Sequence, residues 1–593
     1  MGQAKLKKLL VVECFLGSAI LLTIIQPPFG MGFLAWVALV PFVIGCLSPH
    51  LFASWLDKQR LSKSSFAGEF KSPLANANRC GDLIGEKIWP TLLAAYIISL
   101  CYWLLNLYWL EPITVLGWFL FCIYIAVYWP ILAICLRYCS QREIPLWFAL
   151  PILLVGAEAF QGLIFRGFGW RYLAHSQYEN ITIIQIADIF GAAGVSFLVA
   201  MVNGLIAETI IDLRKRQILR SANFVGIFLT ILAVSAAILY GRYRISQTAD
   251  LLEGGPRIGV VQSNVPTRAG QEVEPVEQTF LNMLIDSKNC LIKAEPALII
   301  WPETMVEAVL DNSYLKLVAE DDTAKIFHNA LRRHSNEGVY LLVGAFSGNA
   351  EVVNDRIELK TSYNSAFLYE PNDIGTRQHY NKVHLVPFGE YIPFKNVLPF
   401  LGRYLMMLTP YDYDYTLNAG DEYTVFEMKG ADRMYRFGVM ICYEDTVPKI
   451  ARKLALDKNK NKQIDWLVNI SNDGWFVRQK ENKVEPTVEL QQHMAICVFR
   501  AVENRVPVIR SVNTGISCYI DSLGRIYNDY IAGTVAKEAA DRAGQRGWFL
   551  DQVLIDKRVT FFSQTGQPLE VGCAVCLIFA AFVSIYKLIG SRK

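Results

Sequence analysis

Apolar residues follow two regimes along this chain. Up to residue 245, and again beyond 569, they form long near-continuous stretches, whereas 246–569 mixes short apolar runs with amphipathic ones. A bilayer hydrocarbon core of about 30 Å is crossed by about 20 mostly apolar residues in a helix. Segments near 9–26, 31–48, 89–109, 113–136, 145–163, 188–211 and 222–241 meet that length, and an eighth lies near 570–588. Lys5, Lys7 and Lys8 precede the first stretch as they would in a secretory signal, but no small-residue cleavage pattern follows it. Instead Gln26-Pro27-Pro28-Phe29-Gly30 reads as a tight turn into a second span.

Between 246 and 569 the runs RIGVVQSNV, PALIIWPE, GVYLLVGAFS, YNSAFLYEP, RFGVMICYED, DWLVNISND and VPVIRSVNTG predict strands. The stretches 276–293, 322–336, 446–456 and 488–504 have helical spacing. Strands alternating with helices, with some adjacent hairpins, predict an α/β sandwich. Three regions follow: a membrane domain over 1–245 with seven helices, a globular domain over 246–569, and a closing transmembrane helix with a tail over 570–593. The 49–88 segment, rich in Ser, Lys and Asn, reads as a solvated insertion of low structural content.

Charge then orients the spans, because cytoplasmic loops carry the excess of lysine and arginine. The first residues, the 49–88 loop, Arg137 and Arg142, the Arg214–Arg220 loop and Lys587, Arg592 and Lys593 are basic, whereas 27–30 and 110–112 carry no Lys or Arg. Both termini are expected in the cytoplasm, with 246–569 on the opposite side and 49–88 as a cytoplasmic insertion. At 593 residues and 53% hydrophobic the chain exceeds one ordinary soluble domain. The net charge of +3, with no basic block interleaved with aromatics, argues against a nucleic-acid partner. Thirteen cysteines are too few for a disulfide scaffold, and their spacing offers no metal site.

Three residues stand at the ends of apolar strand-like runs: Glu303 in LIIWPET, Lys382 in HYNKVHLVPFGEY and Cys442 in FGVMICYED. Each alone has a plain structural reading, as a helix-cap neighbour, a solvated loop lysine and a buried core cysteine. Together they fit thiol chemistry. A free thiol near pKa 8.5 is mostly protonated at neutral pH, so a nucleophilic cysteine needs a base or a cation beside it. Glu303 would supply the base and Lys382 the positive charge for a developing oxyanion. Glu390, in the same block as Lys382, is a second acid whose plain reading is a turn residue. Asn472, Asp473 and Trp475 follow the strand LVNI and read equally as cleft-bordering or structural turn residues, while His384 and His493 read as hydrogen-bonded structural residues.

The blocks Trp-Pro-Glu, Asn-Lys-x-His-Leu-Val-Pro-Phe-Gly-Glu-Tyr, Gly-x-x-Ile-Cys-Tyr-Glu and Asn-Ile-Ser-Asn-Asp-Gly-Trp-Phe, in this order, resemble the nitrilase (carbon–nitrogen hydrolase) superfamily. The apolar spans around them and HLVPFGEYIP narrow the resemblance to the apolipoprotein N-acyltransferase family. It implies a membrane helical bundle of about eight transmembrane helices plus an αββα nitrilase-like sandwich. It further implies Glu303 as general base, Lys382 as oxyanion-stabilising lysine and Cys442 as nucleophile, with Glu390, Tyr443 and Glu444 in support. Trp475 is a candidate substrate-binding residue.

The reaction so implied moves an acyl chain from a phospholipid to the α-amine of an S-diacylglyceryl cysteine on an apolipoprotein, through a cysteine thioester and without metal or cofactor. The expected setting is a monomer in the bacterial inner membrane, with its catalytic domain on the periplasmic side. A membrane-tethered amidase of the same fold is the alternative. One departure stands out: Thr267–Gln271 lacks the tryptophan that family members often carry after the Gln262-Ser263-Asn264-Val265-Pro266 block.

Overall fold

The computed structural model describes residues 3–47, 88–214, 221–267, 274–372, 377–392, 415–480 and 483–590, with isolated positions at 395, 400 and 406. The insertion expected over 49–88 lies outside these residues except at its last position, as do residues 268–271 of the arm after Pro266.

Among the described residues, five helices are long and apolar enough to cross a membrane: Ile88–Asn106, Val115–Gln141, Ala187–Arg214, Asn223–Ser246 and Pro568–Ile589. The other three expected spans, Leu9–Ile24, Gly32–Leu47 and Leu146–Gln161, are apolar but shorter. Each of the eight expected spans thus coincides with an apolar helix, five of them of spanning length among the described residues. In the second, the chain breaks between a single turn at Gly32–Trp36 and a helix at Val40–Leu47. Backbone polar groups freed by such a break need partners where water is absent. Asn203 supplies them: its Nδ2 donates to the Ala35 carbonyl at 2.8 Å and its Oδ1 accepts from the Leu39 N–H at 2.8 Å. The helix Leu146–Gln161 packs between Ala187–Arg214 and the C-terminal helix Pro568–Gly590. Gly156 permits the second contact, since a Cβ there would lie 2.5 Å from the Cys573 carbonyl oxygen.

The globular part is a four-layer sandwich. One sheet centres on the parallel strands Leu252–Gln262, Leu298–Ile300 and Tyr340–Ser347, the other on Met434–Ile441, Trp466–Asn472 and Val508–Asn513, also parallel. Their inner faces meet in one core: Ile258, Val260, Leu298, Ile300 and Leu342 join Val439, Val468, Ile470 and Ile509. The outer face of the first sheet (Val261, Ile299, Trp301, Leu341, Val343) is covered by Phe280 and Met283 of the helix Val276–Ala294 and by Phe327 and Leu331 of the helix Thr323–Ser335. Strands buried on both faces read as unbroken apolar runs, which is why the sequence marked them.

The outer face of the second sheet is covered by the helices Pro448–Ala455 and Val488–Asn504. Val488–Asn504 is itself covered by membrane-domain residues Ile183, Ile184 and Ala187, so nearly all of it is buried. Arg505, at its end, completes the junction. Its Nη2 lies 2.7 Å from Asp188 Oδ2, which also pairs with Arg244 at 2.9 Å. The globular domain is therefore seated on the membrane domain through a packed surface.

Candidate active site

In open α/β sheets, reactive groups gather outside the carboxyl ends of parallel strands, and this chain follows that rule. Glu303 stands three residues beyond Leu298–Ile300, Cys442 follows Met434–Ile441 directly, and Asn472 ends Trp466–Asn472. Lys382 follows the strand His379–Asn381 at the edge of the first sheet. Cys442 has a φ of +51°, so the chain turns sharply from strand into the helical turn Cys442–Thr446 before Pro448 opens the next helix. Left-handed backbone at a non-glycine residue is strained and is held only where the surroundings over-determine it.

The surroundings here are hydrogen bonds to Glu444. This fully buried carboxylate accepts the Ile441 N–H at 2.8 Å on one oxygen and the Val383 and His384 N–H groups at 2.7 and 3.1 Å on the other. The Tyr380 hydroxyl lies within 3.0 Å of both oxygens. Burial pushes the Glu444 carboxyl up to about 7, against these donors and Lys382. One side chain thus fixes both the cysteine elbow and the segment that carries Lys382.

The Lys382 ammonium lies 3.2 Å from Glu303 Oε1 and 2.8 Å from Glu390 Oε1. Asn364 Nδ2 donates to the same two oxygens at 2.7 and 3.0 Å. The second oxygens are also held, Glu303 Oε2 by the Asn472 N–H and Glu390 Oε2 by the Val386 N–H, both at 2.8 Å. Burial opposes the Lys382 charge, but Glu303 and then Glu390 outweigh it and hold its pKa well above the usual lysine range. For Cys442, burial and then Glu303 raise the thiol pKa well above its ordinary value, with Lys382 pulling the other way. The Cys442 thiol thus lies between the opposing pulls of Glu303 and Lys382.

Tyr443 faces the other way. Its ring stacks on Trp170 at 5.4 Å and on His384 at 5.7 Å, and its hydroxyl donates to the Gly167 carbonyl. His384 Nε2 is 2.9 Å from the Arg166 carbonyl oxygen. The residue after the cysteine is thus bound to the 166–170 loop of the membrane domain.

The structure brings Glu303, Lys382, Glu390, Cys442 and Glu444 into one constellation, with Tyr443 on its membrane side. Trp475 is half-buried in the turn Asp473–Phe476, and no hydrogen bond joins it to the carboxylate–lysine cluster among the described residues. Asn364, which bridges both carboxylates, was not singled out from the sequence; the polar pair Asn364-Ser365 at the start of the strand YNSAFLY was its only signal. Asp473, Glu489 and His493 present donor atoms within 4.8 Å of one another. The protein's own cation, Arg510, stands beside them, 3.7 Å from Asp473.

Known proteins resemble this chain over most of its length. A sequence model described as Apolipoprotein N-acyltransferase N-terminal domain matches residues 83–205, and one described as Carbon-nitrogen hydrolase matches 257–540. An apolipoprotein N-acyltransferase of Geobacter metallireducens is 29% identical over 86% of this chain and 85% of its own length. Apolipoprotein N-acyltransferase 1 of Treponema denticola is 25% identical over 80% of this chain and 87% of its own. Among solved structures, a variant of the Nesterenkonia AN1 amidase from the nitrilase superfamily matches at 11% identity, covering 51% of this chain and 92% of that one with a TM-score of 0.33. From its apolar helices to its cysteine elbow, the chain belongs to the apolipoprotein N-acyltransferase family of carbon–nitrogen hydrolases.

Proposed function

We propose that this protein moves an acyl chain from a membrane phospholipid to the N-terminal α-amine of an S-diacylglyceryl cysteine on apolipoproteins, by way of a thioester on Cys442. The observation that carries this reading is the Glu303–Lys382–Glu390 cluster beside a buried thiol whose next residue is bound to the membrane domain. Each lipid CH₂ contributes about 0.8 kcal/mol to staying in the bilayer. A two-chain donor therefore remains there, and the cleft must come to it.

In the first half, Glu303 accepts the Cys442 proton as the sulfur attacks the ester carbonyl. Lys382 and the Tyr443 N–H hold the oxyanion, and Glu390 fixes Lys382 at 2.8 Å. The C–O bond breaks, the proton passes to the departing lysophospholipid oxygen, and the acyl group stays on sulfur. In the second half, the α-amine attacks the thioester. With a pKa of about 7.7–8.0, it is partly neutral at pH 7. Glu303 takes the amine proton and returns it to the leaving thiolate. Glu444 and Tyr443 position the elbow, and Trp475 borders the donor or acceptor. Every named group comes from one chain, which fits a working monomer. The basic loops support cytoplasmic termini and a catalytic domain on the periplasmic side of a bacterial inner membrane.

The test is to incubate the purified protein in proteoliposomes with a diacylglyceryl-cysteine peptide. An acyl-enzyme mass and a triacylated peptide are expected, and both disappear in Cys442→Ala. Product from that variant would rule out the thioester. Free fatty acid as the only wild-type product would favour a hydrolase.

A further inference from the structure

A second charged cluster lies behind the cysteine, unused by the acyl-transfer steps. Asp445, Asp473, Glu489, His493 and Arg510 are all fully buried. His493 Nε2 is 3.0 Å from Asp445 Oδ1, and its Nδ1 is 3.3 Å from Asp473 Oδ1 and 3.4 Å from Glu489 Oε1. Arg510 Nη1 reaches Asp445 Oδ2 at 2.8 Å. Burial works against the imidazolium, but Asp445 and Asp473 overcome it and hold His493 up to about 10. Burial, then Asp473, pushes the Glu489 carboxyl well above the ordinary carboxylate range. His493 and Arg510 both face Asp445 and Asp473.

One side chain links this cluster to the sulfur. Ser471 Oγ donates to Asp473 Oδ1 at 2.6 Å. It also acts on the Cys442 side chain, drawing the thiol pKa down against burial and Glu303. The placement is geometric: the parallel register ends with Ile441 against Ile470, and Asn469 Nδ2 donates to the Cys442 carbonyl at 3.3 Å, so Ser471, the residue after Ile470, lies next to the cysteine elbow. A hydroxyl has one proton to donate and lone pairs to accept with. While sulfur is a thiol, its S–H can point to Ser471 Oγ and the Ser471 proton to Asp473. When sulfur is a thiolate, that proton is needed at sulfur, and Asp473 still keeps His493 and Arg510.

We propose that Ser471 is a positioning residue for Cys442, a hydroxyl that turns from Asp473 to the sulfur as the thiolate forms, and that His493 and Arg510 ease this turn by holding Asp473. The inference rests on Cys442 being the nucleophile. The charged and titratable groups facing that sulfur are Glu303, Asp473, Lys382 and the neighbouring Tyr443.

Iodoacetamide modification of Cys442 in the full-length protein, followed by peptide mass spectrometry across pH, reads the thiolate without requiring acyl transfer. Ser471→Ala should move the midpoint up by roughly one to two pH units, about 10- to 100-fold less thiolate at a fixed pH below it. Ser471→Thr should keep the wild-type profile. Asp473→Asn should move the midpoint down, because a facing carboxylate is gone and the hydroxyl is freed. An unmoved midpoint in Ser471→Ala, or an equal loss of reactivity at every pH, overturns the proposal. Should Asp473→Asn fail to fold, the Ser471→Ala and Ser471→Thr pair still decides. A wild-type protein that alkylates normally yet never forms an acyl-enzyme would sink the acyl-transfer reading and leave the Ser471 result standing.

Discussion

Replacing Lys382 by methionine tests whether the cluster is held by charge balance. Lys382 is 1% exposed, and its two carboxylate partners are 6% and 14% exposed at 3.2 and 2.8 Å. At an effective dielectric of about 20, each contact is worth between about 5 and 6 kcal/mol before desolvation is subtracted. Removing one partner of a buried pair costs about 3–5 kcal/mol net, because the remaining charge is stranded. Here the loss is sharper in kind, since Glu303 and Glu390 would share only the Asn364 amide. Glu390→Gln, by contrast, leaves Lys382 paired with Glu303 and should cost about 1–2 kcal/mol.

The double variant removes the like-charge pair and should be more stable than Lys382→Met alone, giving a coupling of about 0.5–3 kcal/mol. Thermal unfolding of the catalytic domain in nanodiscs should show a drop on the order of 10 °C for Lys382→Met. The sign with pH follows from Lys382, whose folded pKa lies well above the unfolded value of about 10.4: its contribution is fully present below that pH and is lost as pH rises through the raised value. Additive single effects would refute the charge-balance account.

Glu303→Gln should lower acyl-enzyme formation about 10²- to 10⁴-fold yet raise Cys442 alkylation at pH 8, because the carboxylate holding the thiol protonated is gone. Parallel falls in both, by intact mass and iodoacetamide kinetics, would remove Glu303 from the role of base. Tyr443→Phe keeps both ring stacks and loses only the hydroxyl contact to Gly167. Acyl transfer in proteoliposomes should stay within about tenfold of wild type, whereas Tyr443→Ala should lose about 30-fold or more.

The elements that sit in layers were legible because both faces of the central strands are buried, giving short unbroken apolar runs such as Leu298–Ile300 and Met434–Ile441. All seven strands and all four helices read in the globular domain are present. The strand Gly547–Asp556, which pairs antiparallel along Leu252–Gln262, escaped notice because Asp551, Gln552 and Asp556 interrupt its apolar pattern. The cluster residues were visible as strand-end chemistry, but their mutual bonding was not. Asn364, Ser471 and Tyr380 act through contacts 26 to 64 residues away or across neighbouring strands, and spacing along a chain does not encode such meetings. His493 read as a plain hydrogen-bonded residue because nothing nearby in sequence announces that Asp445 and Arg510 converge on it.

The contact between Tyr443 and Gly167 has a geometric consequence. A rigid body resting on one support can pivot, and on two it can rock about the line joining them. The globular domain is supported where the chain enters after Ser246 and leaves toward Pro568, along the packed helix Val488–Asn504 with Arg505, and at the 166–170 loop under Tyr443 and His384. Supports that do not lie on one line leave a rigid body no axis to rock about. The cysteine elbow is therefore held at one distance from the membrane domain.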